Sequence, residues 1–171
     1  LLSMVVKVST RIIDLFRIVA GKERNALIAR QLELDKLEPF GSYNGCKIGF
    51  SGSLKRMRKV EDVAEYLNEN LPSECDLSII GEASRKVKKI GVISGGGAFP
   101  ALFSEMRAEG VECLVTGEFT HESYHYALET GIPVIAIGHY RSEIPGVLAV
   151  KELVEEKFDI PCAFTDIPTG F

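Results

Sequence analysis

No apolar run in this chain reaches the roughly 18 residues that a membrane span requires, because Lys7, Arg11, Asp14 and Arg17 interrupt its greasy beginning. No cleavable signal pattern is present. No C-x-x-C pair occurs: Cys46, Cys75, Cys113 and Cys162 stand far apart in apolar surroundings. That is the usage of reduced core thiols, and a cytoplasmic location is the expectation that follows. A basic stripe is missing as well. With a net charge of −4, the chain has little electrostatic attraction for nucleic acid or anionic membrane, so neither is expected as a partner. There is no G-x-S-x-G elbow of a serine hydrolase. The one glycine run lacks both the Lys-Ser/Thr of a P-loop and the spacing of G-x-G-x-x-G, and no organic cofactor is expected. Internal repeats and low-complexity linkers are absent.

What is present describes an ordinary globular protein. Hydrophobic residues make up 46% and charged residues 26% of 171 positions, enough for one compact unit over 1–171. The chain opens on Leu1, as a truncated, processed or alternative start would. Helical spacing joins Ile12, Ile13, Phe16 and Val19 between Thr10 and Ala20. A second short helix is expected from Asn25, read as its N-cap. Glu38-Pro39-Phe40-Gly41 reads as a turn, Cys46 to Phe50 as a strand closed by Ser51-Gly52, and Val60 to Leu67 as an amphipathic helix.

From Leu77 onward the alternation is regular. Strands are expected at Leu77–Gly81, Val87–Ser94, Cys113–Val115 and Val134–Ile137. Between them lie a helix after Pro100 that Gly110 can end and a helix that Thr120 can cap and Gly131 can close. A further helix over Leu148–Val154 and a short strand near Ala163 and Phe164 complete the pattern. Apolar strands alternating with helices predict an α/β fold, a mostly parallel sheet with helices on both faces in α/β/α layers.

Ligands of such sheets gather at the strand ends, where loops and helix N-termini converge. Three segments arrive there: Ser94-Gly95-Gly96-Gly97, Thr116-Gly117-Glu118 with His121 and His125, and Gly138-His139-Tyr140-Arg141-Ser142-Glu143. All three histidines of the protein fall in the last two. His139 with Glu143 suits zinc, manganese or iron, although spacing alone favours an ordinary hydrogen-bonded pair without metal. His121 and His125 share a helix face and match H-E-x-x-H. With Tyr124 and Leu128 on the same side, however, that face is expected to pack on the sheet, which suits a structural or substrate-contact role better than a protease centre. The glycine run is either a tight turn or a set of N–H groups facing an anion. Asp159 and Asp166 are expected to be solvated or capping. No catalytic residue is assigned.

These segments resemble a known family. Val87-Lys88-Lys89-Ile90-Gly91-Val92-Ile93-Ser94-Gly95-Gly96-Gly97, Thr116-Gly117-Glu118, Gly138-His139-Tyr140-Arg141-Ser142-Glu143, Asp166-Ile167-Pro168 and the upstream Glu38-Pro39-Phe40-Gly41 with Ile48-Gly49 are similar to blocks of the dinuclear-metal family named GTP cyclohydrolase 1 type 2-like, or Nif-three-like. The resemblance covers about Asn25 to Phe171. It divides the chain into a divergent portion, 1–50, and the C-terminal portion of the family fold, 51–171.

The resemblance implies a toroidal homohexamer around paired metals held by an N-terminal His-His pair, an Asp, and a C-terminal His and Glu. Here it assigns His139 and Glu143. No histidine precedes His121, and Asp14 matches the family's Asp poorly, so a weak or incomplete divalent-metal site is expected. The implied function is a metal-binding protein, acting as a metal-dependent hydrolase on a small-molecule substrate with His121 or His125 handling protons. The alternatives are a non-catalytic metal-binding or assembly protein, or a catalytically silent truncated relative.

Overall fold

The computed structural model describes residues 24–73 and 76–168. The helix expected over residues 10–20, Asp14 and Cys75 lie outside the described residues. In chain order the elements are α1 (Arg24–Gln31), β1 (Asp35–Tyr43), β2 (Cys46–Lys59), α2 (Val60–Asn70), β3 (Ser78–Ile80), β4 (Lys86–Ile93), α3 (Pro100–Glu109), β5 (Cys113–Thr116), α4 (His121–Thr130), β6 (Val134–Ala136) and α5 (His139–Phe158). No helix among the described residues is long and apolar enough to cross a membrane.

The strands form one six-stranded sheet in the order β1-β2-β4-β5-β6-β3. The expected α/β fold is present, with helices on both faces. Parallel pairing belongs to the centre, β4-β5-β6. The flanking pairs β1-β2, β2-β4 and β6-β3 are antiparallel. Side chains alternate across the central strands as a period of two requires. Ile90, Val92, Val115 and Ile135 meet Ile28 of α1, Leu32 just beyond it, and Val63 and Leu67 of α2. Ile93, Leu114 and Val134 meet Leu102, Phe103 and Met106 of α3 and Ala127 of α4.

Local signals that act over one turn survive unchanged. Pro100 occupies the first turn of α3 and Gly110 ends it in the left-handed region at φ 67. Thr120 caps α4 with Ser123 in a reciprocal capping box, and Gly131 closes it at φ 67.

Three local readings are overturned by longer-range packing. Glu38-Pro39-Phe40-Gly41 is not a turn but part of the edge strand β1, where the missing Pro39 N–H is tolerated. Phe40 is drawn into the core, fully buried against Gly91, where an added Cβ would come within 2.6 Å of the ring. Ser51-Gly52 does not end β2. The strand continues to Lys59, and Gly52 lets it pass beneath Leu34 and Leu37. Finally, α5 starts at His139 rather than near Leu148 and runs through Pro145. Arg141 and Ser142 anchor its first turns to other elements. Residues 159–168 form no strand.

The cysteine reading also divides. Cys113 is a core thiol, its pKa pushed up to about 12 by burial, whereas Cys46 is exposed and Cys162 half-buried.

Candidate functional site

The three parallel strands end in register, Ile93 beside Thr116 and Thr116 beside Ala136. Their following loops therefore leave the same sheet edge, and both histidine-bearing helices start there. The loops are laced together through the backbone. Glu118 N–H donates to Gly95 O at 3.0 Å, and Gly138 N–H to Gly117 O at 2.9 Å.

The glycine run is a tight turn. Gly95 N–H is taken by Ser142 Oγ at 2.9 Å and Gly97 N–H by Thr116 Oγ1 at 3.1 Å, so two of the three donors face protein rather than an anion. Gly95, at φ +63, is also the floor of the site. A Cβ there would lie 3.2 Å from His139 Nε2 and 3.3 Å from Glu143 Oε1.

His139 and Glu143 occupy the first turns of α5, four residues apart and on one face. His139 Nδ1 stands 3.0 Å from Glu118 Oε1, and Nε2 stands 3.7 Å from Glu143 Oε1. The Glu143 carboxylate is also paired with Arg24 Nη1 at 2.9 Å. The aliphatic part of Arg24 lies across Gly146, where an added Cβ would sit 3.1 Å from Arg24 Cδ. Its Nε is buried without a partner. Among the described residues, no group of three or more His, Cys, Asp or Glu side chains is arranged to hold a metal ion.

Beside His139 opens a cavity of about 830 Å³, whose wall includes Glu118, Phe119, His139 and Tyr140. Tyr140 donates to Asp166 Oδ1 at 2.8 Å and accepts from Ile167 N–H at 2.9 Å, tying residues 166–167 to the first turn of α5. Asp166 is thus partnered rather than merely solvated, while Asp159 ends α5 in the left-handed region, as a cap.

His121 and His125 do not line this cavity. The residues of α4 that turn inward are Ser123 and Ala127. His121 and His125 are exposed, with Tyr124 and Leu128 at 41% and 49%. The expectation that this face packs on the sheet is wrong, because the small Ser123 and Ala127 are what permit close approach.

Four further residues position the site without an obvious sequence signal. Asn25 is not an N-cap. Buried, it donates to Ile48 O at 2.7 Å and accepts from Ser94 N–H at 2.6 Å, joining α1 to the end of β4. Arg24 and Glu118 show no local pattern pointing to Glu143 or His139. Ser142, inside the Gly138–Glu143 block, bridges Gly95 N–H and His139 O.

A Duf34/NIF3 (NGG1p interacting factor 3) family model matches residues 19–169. The chain belongs to the Duf34/NIF3 family. A curated relative, the GTP cyclohydrolase 1 type 2 homolog of Deinococcus radiodurans, is 40% identical over 146 residues, covering 85% of this chain and 54% of the relative. The chain thus spans about half the length of the curated relatives it matches. The protein TTHA1606 from Thermus thermophilus superposes with a TM-score of 0.65 at 29% identity, over 86% of this chain and 56% of that one. Protein ybgI, of unknown function, superposes with a TM-score of 0.71 at 23% identity, over 86% and 57% respectively. At that identity the likeness speaks for the Duf34/NIF3 fold alone.

Proposed function

We propose that this Duf34/NIF3 chain binds a divalent ion of the zinc, manganese or iron class through His139 Nε2 and Glu143, with Glu118 orienting the imidazole. The observation that carries the reading is the arrangement at His139. Metal-ligating histidines commonly engage a carboxylate through their other ring nitrogen, which sets the ring's direction. Here Nδ1 is engaged by Glu118, and Nε2 is turned over Gly95 toward Glu143 at 3.7 Å. Both atoms are within reach of one ion about 2.1 Å from each. The remaining positions would fall to water, so the expected affinity is low.

A divalent ion held there would supply Lewis acidity and an acidified water, the basis of a metal-dependent hydrolase reading. The adjacent cavity of about 830 Å³ suits a small-molecule substrate. The relatives' name brings a purine nucleotide into the set worth testing. His121 and His125 are not assigned proton transfer, since neither lines that cavity. One observation favours a second reading, an ordinary ion-pair chain without metal: Arg24 already occupies Glu143 at 2.9 Å.

Calorimetry with manganese, the divalent first-row ion that imidazole ligands hold most weakly, separates the two. Weak binding of one ion by the native chain should vanish in His139→Ala and weaken on the order of 10- to 100-fold in Glu118→Gln. Arg24→Met should strengthen binding by removing a competing cation. Binding untouched by His139→Ala would establish the metal-free pair, and tight uptake of two ions would require ligands from elsewhere.

Self-association into a homo-oligomer, hexameric by family resemblance, is part of this reading. Exposed Tyr124, Tyr126, Leu128, Val147 and Ile167 supply apolar surface for it. Light scattering should find an oligomer, and a stable monomer at high concentration would remove that part.

A further inference from the structure

We infer that His121 and His125 form a second, separate metal site on the outer face of α4, selective for copper(II), nickel(II) or zinc. The two residues lie one helical turn apart in a ten-residue helix whose start is held by the Thr120–Ser123 capping box, so their Cα positions are set before any ligand arrives. Both face outward, because Ser123 and Ala127 take the inward positions.

Their ring centroids are 5.4 Å apart with the planes at 88°. An ion about 2.1 Å from a ring nitrogen lies roughly 3.2 Å from that ring's centre, so two imidazoles on adjacent coordination positions stand about 5 Å apart. The observed centroid spacing is close to that value, and ligation turns a nitrogen of each ring toward a common point. The contacts of both rings are with each other and, for His125, with Tyr124 at 5.5 Å. Neither has a hydrogen bond or ion pair with the described residues, so ligation would break no polar contact.

The donor set decides the class of ion. Two imidazole nitrogens without a carboxylate cluster disfavour calcium and magnesium, which take oxygen ligands. Among divalent first-row ions such a pair follows the order that peaks at copper. The literal H-E-x-x-H pattern does not make this a protease centre. Among the described residues no third ligand completes it, and it stands outside the cavity at His139. Water completes the shell, and the bound ion staples the first two turns of α4.

The chain has three histidines in all, which makes the test direct. Copper(II) and nickel(II) are titrated into the full chain and into His121→Ala, His125→Ala and His139→Ala, with circular dichroism confirming that each is folded. Because the second imidazole acts as a tethered ligand, either α4 substitution should weaken this site on the order of 100-fold, while His139→Ala leaves it intact. Electron paramagnetic resonance of the copper(II) form should show two coordinated nitrogens in the native chain and one in either variant. Unchanged affinity in His121→Ala or His125→Ala, a loss that follows only His139, or a single-nitrogen signal in the native chain would overturn the assignment.

Discussion

Arg141→Ala is expected to lower folding stability by about 3–5 kcal/mol, the range for removing a buried charge-assisted hydrogen-bond centre. Arg141 is 2% exposed. Its Nε donates to Pro72 O at 3.2 Å, Nη1 to Asn68 Oδ1 at 2.7 Å, and Nη2 to Asn68 O and Leu71 O at 2.6 and 3.0 Å. These acceptors sit at the end of α2, where carbonyls lack helical partners and the helix dipole favours a cation. Truncation leaves them buried and unpaired and opens a void. Arg141→Met fills much of the void but supplies no donor, so it should recover only a minor part of the loss. Urea unfolding measures both. A change under about 1 kcal/mol for Arg141→Ala would show that water replaces the guanidinium freely. Because Arg141 lies two residues after His139, the variant should also loosen the Glu118–His139–Glu143 arrangement.

The second large effect is acid-dependent. Glu105 of α3 accepts from Gly41 N–H and Ser42 N–H, both at 2.8 Å, and from Lys47 Nζ at 2.6 Å. Burial pushes its carboxyl up, but the Lys47 ammonium and the N–H groups of Ser42 and Gly41 outweigh that and hold the pKa at about 2 against an ordinary 4.5. Hydrogen bonding to Glu105, opposed by burial, correspondingly raises the Lys47 pKa. A depressed folded-state value means that the stabilisation is fully present above pH 4.5. It is lost as the pH falls toward 2, because the unfolded chain takes up the proton first. The drop corresponds to roughly 3 kcal/mol at most. Stability measured from pH 5 to 2 should fall steeply in the native chain and less in Glu105→Gln, which has no carboxylate to titrate. Superimposable profiles over that window would remove Glu105 as the acid-sensitive clasp between α3 and the β1–β2 hairpin.

Both effects involve contacts that no local pattern announces. Arg141 finds Asn68 across 73 positions, and Glu105 finds Gly41 across 64. The helix expected over Leu148–Val154 begins nine residues earlier, at His139, and its first turns, anchored by Arg141 and Ser142, run through Pro145. Glu38-Pro39-Phe40-Gly41 has the composition of a turn, yet burial of Phe40 against Gly91 draws it into an edge strand. The outward face of α4 departs from its pattern for a related reason. Tyr124 and Leu128 are the larger apolar groups, but the neighbouring helix and sheet leave room only for Ser123 and Ala127.

By itself the sequence determined the α/β class, the strands β4, β5 and β6, both caps of α4 and the candidate pair His139 and Glu143. Apolar runs, N-caps, closing glycines and the four-residue helical spacing act within one or two turns and are written in adjacent residues. The tertiary structure decided that Nδ1 of His139 faces Glu118, that Arg24 pairs with Glu143, and that His121 and His125 point away from the cavity. It also decided which flanking strands run antiparallel. These depend on which distant segments share the sheet and how closely their side chains can approach, a three-dimensional packing condition that no single stretch of chain encodes.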